Sequence, residues 1–291
     1  MIKPVHKGAR VRNLRKEKEI TMEESVIVRT FYDRCHKEEW ERLERHKIEF
    51  EITKRIIYGN ITRKKAKIID IGGGPGRYSL WLASLGHKVT LIDLSGKSID
   101  MANKKAAESN LSFEKASRGN ALELDKLVEG KFDYALLLGP LYHLNSEEER
   151  IKTVENALRV LKKNGKLFVA FISAYAPIID ALKNYPCAIK GKSGKFLNYL
   201  SDGRNIVSKK NPGFTNAYFI HPKDIDPFMR KFELSKIGLY ALEGILGPYE
   251  NNVNGLAPEI FDECVDMAFK LSESSDAWAC SEHLLYVGRK K

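Results

Sequence analysis

Asp70-Ile71-Gly72-Gly73-Gly74-Pro75-Gly76 is the stretch of this sequence whose residue types and spacing could hold a ligand. It follows the apolar pair Ile68-Ile69 and leads into an apolar, helix-like segment, Tyr78 to Leu85. A strand that ends in glycines and opens a helix brings bare backbone N–H groups up to a ligand, because glycine has no Cβ and tolerates positive φ. Such a loop could hold a dinucleotide or another adenosine-bearing cofactor. The dinucleotide fingerprint requires G-x-G-x-x-G, and counting from Gly72 puts Arg77 where the third glycine should be. The pattern is D-x-G-x-G-x-G, which favours the second class of ligand.

That pattern resembles the first motif of the class I S-adenosylmethionine-dependent methyltransferases, and the resemblance continues downstream. Lys88 to Asp93 reads as a second strand ending in an acidic residue about 20 positions past the first glycine, where a carboxylate can accept from both ribose hydroxyls. Gly119-Asn120-Ala121 resembles the family's third cofactor motif, usually Gly-Asp-Ala, which touches the adenine. Asn120 departs from it, and its amide oxygen can still accept from the adenine amino group. Leu138 to Leu144 resembles the fourth motif of small-molecule members, where a strand end and turn line the methyl-transfer cleft. The resemblance implies that Asp70, Gly72, Gly73, Gly74, Gly76, Asp93, Leu94, Asn120, Ala121, Leu138 and Gly139 bind S-adenosyl-L-methionine, with S-adenosyl-L-homocysteine as product. It also implies an N-terminal helical segment over the cleft, with Tyr32 closing on the methionine end; packing is the alternative role for Tyr32 and for Trp40.

The elements that must position these residues follow from the pattern of apolar positions. Phe132 to Leu138 fits a fully buried parallel strand bounded by Gly139-Pro140. Thr153 to Lys163 carries Val154, Ala157, Leu158 and Leu161 at helical spacing, an amphipathic crossover helix ended by Asn164-Gly165. Lys166 to Ile172 is the next strand, and Phe232 to Tyr240 and His283 to Gly288 supply the last two, an antiparallel pair in this family. The expected fold is α/β: a Rossmann-like, doubly wound sheet of about seven strands, mostly parallel with an antiparallel C-terminal strand. Residues 63–173 and 223–291 would form this cofactor-binding domain.

Two additions are expected. Residues 1–20 are crowded with Lys and Arg and offer few apolar side chains, as expected of a basic, mobile or loosely docked arm; residues 21–62 then form a helical cap. Within the cap, Glu38/Arg42, Glu41/Arg45 and Glu51/Arg55 each place an acid four residues before a base, a solvated face on a packed helix. Residues 174–222 exceed an ordinary connection and mix Gly, Pro, Asn and Lys with aromatics. The expected role is a substrate lid that carries selectivity and excludes water, against a surface elaboration or a dimer contact.

Methyl transfer asks for alignment of a nucleophile with the S–CH₃ bond, and for a base only where the acceptor must lose a proton. His143, just past the fourth strand, is the leading candidate base, against a structural role bonded to a backbone carbonyl. Tyr142 could line the acceptor pocket or orient its hydroxyl or amine. Arg45, His46 and Tyr175 are candidates only through their expected proximity to the lid.

The 291 residues, 43% hydrophobic, suffice for one main domain with additions. No apolar stretch approaches the ~20 residues of a spanning helix and the N-terminus lacks a signal-peptide core, so no membrane and a cytoplasmic location are expected. The four cysteines show no C-x-x-C pair or metal spacing, and no metal is expected. Pro186-Cys187 resembles the nucleophile dipeptide of cytosine C5 methyltransferases but lies in the insertion, and the Asn/Asp-Pro-Pro-aromatic loop of amino-directed nucleic-acid enzymes is absent. A net charge of +11 suits RNA or an anionic metabolite, but the basic residues are spread through the chain as on a solvated surface; the basic arm and Lys190, Lys192, Lys195, Arg204, Lys209 and Lys210 are the two places to test for RNA. The expected protein is a methyltransferase acting on O, N or S of a small molecule, as monomer or homodimer. An RNA base methyltransferase and a non-catalytic S-adenosylmethionine-binding protein are the alternatives.

Overall fold

The computed structural model describes the backbone of residues 7–207 and 214–291, with side chains from Glu24 onward. Of the basic stretch 1–20, residues 1–6 lie outside the described residues, and from Lys7 the backbone already belongs to helix α1 (Lys7–Arg45). Lys209 and Lys210 also lie outside them. Helix α2 (Lys47–Asn60) follows after a break at His46, whose φ of −104° and ψ of 61° are not helical. The strands β1 (Lys67–Ile71), β2 (Lys88–Asp93), β3 (Lys115–Arg118), β4 (Phe132–Leu137) and β5 (Leu161–Ile172) are mutually parallel. Outside their sheet, β6 (Arg204–Asn205) and β7 (Ala217–Tyr218) form a short antiparallel pair. With β8 (Leu234–Ala241) and β9 (His283–Lys290) the main sheet has seven strands in the order β3-β2-β1-β4-β5-β9-β8, and β9 alone runs antiparallel to its neighbours. The strand order reverses between β1 and β4, and in open α/β sheets ligands bind outside the carboxyl ends of the strands at that point.

Helices α3 (Arg77–Ser84), α4 (Gly96–Glu108) and α5 (Glu147–Val160) make the crossovers. Ser95 and Ser146 cap α4 and α5, each side-chain oxygen accepting from the N–H three residues on, and Glu147, Glu148 and Glu149 complement the dipole of α5. α2, expected as part of the cap, instead covers one sheet face: Ile48, Ile52, Ile56 and Ile57 are at most 2% exposed, in one cluster with Ile68, Leu136 and Phe168. Burying each is worth about 1.5–3 kcal/mol, so α2 belongs to the wall of the sheet.

The α5 to β5 connection differs from the expectation. The helix stops at Val160, three residues early, because Leu161 turns extended and pairs with Phe132. Asn164 takes a left-handed φ of 62°, and Asn164-Gly165 forms a bulge within the strand instead of a helix cap. A Cβ on Gly165 would lie 3.0 Å from the Asp133 carbonyl oxygen, so glycine is needed for the close approach.

The insertion contains α6 (Ala176–Asn184), α7 (Ser193–Asn198) and the β6–β7 pair, and a bridge between Ser173 and Ile220 ties its ends together. Tyr199, Ala217 and Phe219 pack with Ile172, Ala174 and Ala176, and Tyr142 leans on this small core. α8 (Pro222–Met229) returns the chain to β8; α9 (Glu250–Val253) and α10 (Pro258–Leu271) lie between β8 and β9. No helix of the described residues is long and apolar enough to cross a membrane.

Candidate active site

A cleft opens at the switch point between β1 and β4. Its floor is the Asp70–Pro75 loop with Leu138, Gly139 and Pro140, and its sides are Asp93-Leu94 and Gly119–Leu122. Close packing of the two strand ends demands glycine: a Cβ on Gly139 would sit 2.7 Å from the Gly72 carbonyl oxygen, and one on Gly72 would meet Pro140 at 2.5 Å. Every residue expected to hold the cofactor lines this cleft except Gly76, which faces away; its Cβ position meets Ala102 of α4 and Leu91 of β2.

The Asp93 carboxylate accepts from the N–H of Gly74 and of Ser95, both at 2.8 Å, and each oxygen keeps a further lone pair. Burial raises it to about 6, against the two amides that favour its charge. Asp70 sits behind the loop. Its Oδ2 accepts from Ser79 at 2.7 Å, its buried Oδ1 has no partner among the described residues, and burial raises its carboxyl to about 7. The Asn120 amide oxygen expected for adenine already accepts from Leu122 N–H at 3.0 Å, capping the 121–126 turn. The residues therefore fit an adenosine-bearing ligand: an open backbone cradle at Gly74, an orphaned acceptor on Asp70, and a carboxylate with free lone pairs.

The opposite wall comes from α1. Glu24, Ser25, Val28, Tyr32, Glu39, Arg42 and Leu43 line the cleft from one face of the helix. Asp33 accepts from Ser95 Oγ at 2.7 Å and Glu44 from Arg77 at 3.0 Å, which clamps α1 to the cofactor side. Tyr32 Oη lies 2.7 Å from His143 Nε2, and His143 Nδ1 lies 3.1 Å from the Asn216 carbonyl oxygen of the insertion. Burial lowers the His143 imidazole to about 4. Tyr142 donates to the Leu138 carbonyl at 3.0 Å.

Arg42 is the site residue that sequence reasoning missed. Expected on the solvated face with Glu38, it turns inward and grips Glu49 with two hydrogen bonds of 2.7 and 2.9 Å, made possible by the chain break at His46. The available signal was the 24-28-32-39-43 spacing, a single helical stripe of mixed polarity. Behind Arg42 lies a buried charge network. His283 donates to Glu243 at 2.6 Å and lies 3.7 Å from Glu49, while Lys183 of α6 bridges Glu250 and Glu282 at 2.9 and 2.5 Å. His46 joins it through Glu250, whereas Arg45 stays on the exposed surface and Tyr175 pairs with His221, away from the cleft lining. Glu49, Glu243 and His283 bring donor atoms within 4.8 Å of one another, as metal ligands would. Burial opposes the charge on His283, but Glu49 and Glu243 outweigh it and raise the ring to about 9.

Residues 68–165 match the family described as a methyltransferase domain. A ubiquinone biosynthesis O-methyltransferase of Pelagibacter ubique is 30% identical over 59% of this chain and 62% of its own length, and one of Coxiella burnetii is 28% identical over 59% and 64%. The chain thus spans less than two thirds of the length of these relatives. Among solved structures, magnesium protoporphyrin IX methyltransferase of Synechocystis with bound S-adenosylhomocysteine superposes with a TM-score of 0.55 at 15% identity, over 92% of this chain and all of that one. An S-adenosylmethionine-dependent methyltransferase of Methanosarcina mazei gives 0.53 at 17% identity, over 80% and 96%. The superpositions show a shared fold. Residues 68–165 thus carry a methyltransferase domain, on a fold shared with these solved structures.

Proposed function

We propose that this protein transfers a methyl group from S-adenosylmethionine to an oxygen, nitrogen or sulfur nucleophile of a small molecule. The observation that carries the reading is a single cleft in which a glycine cradle and a lone-pair-bearing carboxylate face a wall holding Tyr32, Tyr142 and His143. Gly72 to Gly74 let the cofactor approach the bare backbone, where the Gly72 and Gly74 N–H groups already donate to Ile92 and Asp93; Asp93 takes the ribose, and the 119–121 turn borders the adenine. Bound there, the cofactor supplies a sulfonium-activated methyl group. α1, with Arg42 held by Glu39 and Glu49, walls the cleft. The 174–222 insertion, none of whose described residues lines it, reaches it through the Asn216 carbonyl on His143 and would act as the lid that excludes water. The relatives named above, O-methyltransferases of ubiquinone biosynthesis, support oxygen as the acceptor atom.

The experiment is release of S-adenosylhomocysteine from S-adenosylmethionine with panels of phenols, amines and thiols and with bulk RNA. Turnover with a small molecule is expected; turnover with RNA alone would overturn the choice of acceptor.

The proposal also fixes a pH dependence. Ribose hydroxyls donate to an ionised Asp93, whose carboxyl stands at about 6 before binding. Affinity should therefore be level above pH 6 and fall up to tenfold per pH unit below it, because a proton must leave on binding. Asp93→Asn should remove that slope and weaken binding by about 2–4 kcal/mol, read by calorimetry at pH 5, 6 and 7.5. A slope that persists in the variant would place the proton elsewhere.

A further inference from the structure

We infer that Tyr32 is the residue that receives the acceptor's proton and that the methylated atom is a hydroxyl oxygen. The inference rests on the methyltransferase reading above and deepens it. The Asn216 carbonyl oxygen can only accept, so His143 Nδ1 carries the hydrogen and the neutral ring offers Nε2 as an acceptor. Tyr32 must then donate its O–H to Nε2 at 2.7 Å, and toward the cleft its oxygen presents lone pairs alone. A ligand group beside Tyr32 therefore has to be a donor. Tyr32 feels the charges of Glu39, Arg42 and Asp93 across the cleft, and the Phe31 ring lies against it edge-on. His143 also lines the cleft, beside Tyr142 and Phe214, but both its ring nitrogens are engaged, by Tyr32 and by the Asn216 carbonyl, so a ligand proton reaches it through Tyr32.

The chain of donors fits one class of nucleophile. An amine arrives as an ammonium and must lose a proton before attack, which an imidazole standing at about 4 cannot take. A carboxylate needs no base. A hydroxyl is a weak acid at the start and becomes a very strong one as its oxygen bonds to carbon, so a weak, dry base suffices once transfer is under way. As the O–CH₃ bond forms, the C–S bond breaks with its electron pair going to sulfur. The hydroxyl proton passes to Tyr32 Oη while Tyr32's own proton passes to His143 Nε2. The products are a methyl ether, a thioether and an imidazolium held by Asn216, which releases its proton when the cleft reopens. Tyr32 is thus the catalytic residue and His143 its positioning partner.

The test is the ionisation of 4-nitrophenol bound to the protein saturated with S-adenosylhomocysteine, followed by phenolate absorbance across pH. In wild type the bound phenol should titrate above its free value, because Tyr32 accepts from the neutral form. Tyr32→Phe should lower the bound pKa by about one unit, since that acceptor is gone. His143→Leu should lower it too, because Tyr32, released from the ring, can then donate to the phenolate. A rise in Tyr32→Phe, no change in either variant, or no binding of 4-nitrophenol to the saturated wild type would overturn the inference and leave the methyltransferase reading standing. Failure of the wild type to bind S-adenosylhomocysteine by calorimetry would overturn both.

Discussion

Lys183→Met should lower the melting temperature by roughly 6–10 °C, the effect of about 3–5 kcal/mol in a chain of this size. Lys183 is 3% exposed and neutralises Glu250, 2% exposed, and Glu282, 10% exposed. Methionine keeps the apolar stem, leaves Glu282 buried without its cation and leaves Glu250 with His46 alone. The double variant Lys183→Met/Glu282→Gln should recover part of the loss, whereas Lys190→Met on the exposed surface should change nothing measurable. An unchanged melting temperature in Lys183→Met would mean that α6 is not held by these charges. The same network sets a pH window. Burial opposes the charge on Glu49, but Arg42 and His283 outweigh it and hold the carboxyl down at about 2. Its contribution is present above the unfolded carboxyl value of about 4.3 and is lost as pH falls toward 2. His283, raised to about 9, contributes fully below its unfolded value of about 6.5, and that part is lost as pH rises through 9. Stability should be highest between these limits, and thermal melts from pH 3 to 10 check it.

Gly74→Val should reduce cofactor affinity by on the order of 100-fold or more while the protein still folds. Gly74 has a φ of 56°, and a Cβ there meets nothing closer than Glu39 Cγ at 3.9 Å, so the side chain would occupy the space of the ligand. The fold would bear chiefly the cost of a left-handed β-branched residue, about 1–2 kcal/mol. Gly72→Ala is the contrasting variant. At a φ of 70° its methyl would strike Pro140 at 2.5 Å, so stability and binding should fall together through separation of the β1 and β4 ends. If calorimetry gave Gly74→Val wild-type affinity, the cofactor would not approach this backbone.

The parts of the fold and site that could be read from the chain are those where chemistry is local. The glycine loop announces itself because three alternating glycines after an apolar run serve backbone geometry, and Asp93 follows because a strand of known length ends there. β4 and the antiparallel β9 are legible as apolar runs of strand length. What escaped depends on contacts across long separations. Arg42 looks like an i,i+4 partner of Glu38, yet a break at His46 folds α2 back and brings Glu49 within 2.7 Å. Tyr32 and His143 are 111 positions apart, and the carbonyl that fixes the His143 tautomer belongs to the insertion. Asn164-Gly165 has the composition of a helix terminus, and only the pairing of Leu161 with Phe132 makes it a strand bulge. The Lys183 network joins three segments through charges that, in sequence, resemble any solvated surface.

The most direct measurement is calorimetric titration of the protein with S-adenosylmethionine and, separately, with NAD. Micromolar binding of S-adenosylmethionine, weakened by Asp93→Asn, with no heat from NAD, is the expected result. Binding of NAD in preference, or of S-adenosylmethionine with the same affinity in wild type and Asp93→Asn, would contradict the assignment of this cleft.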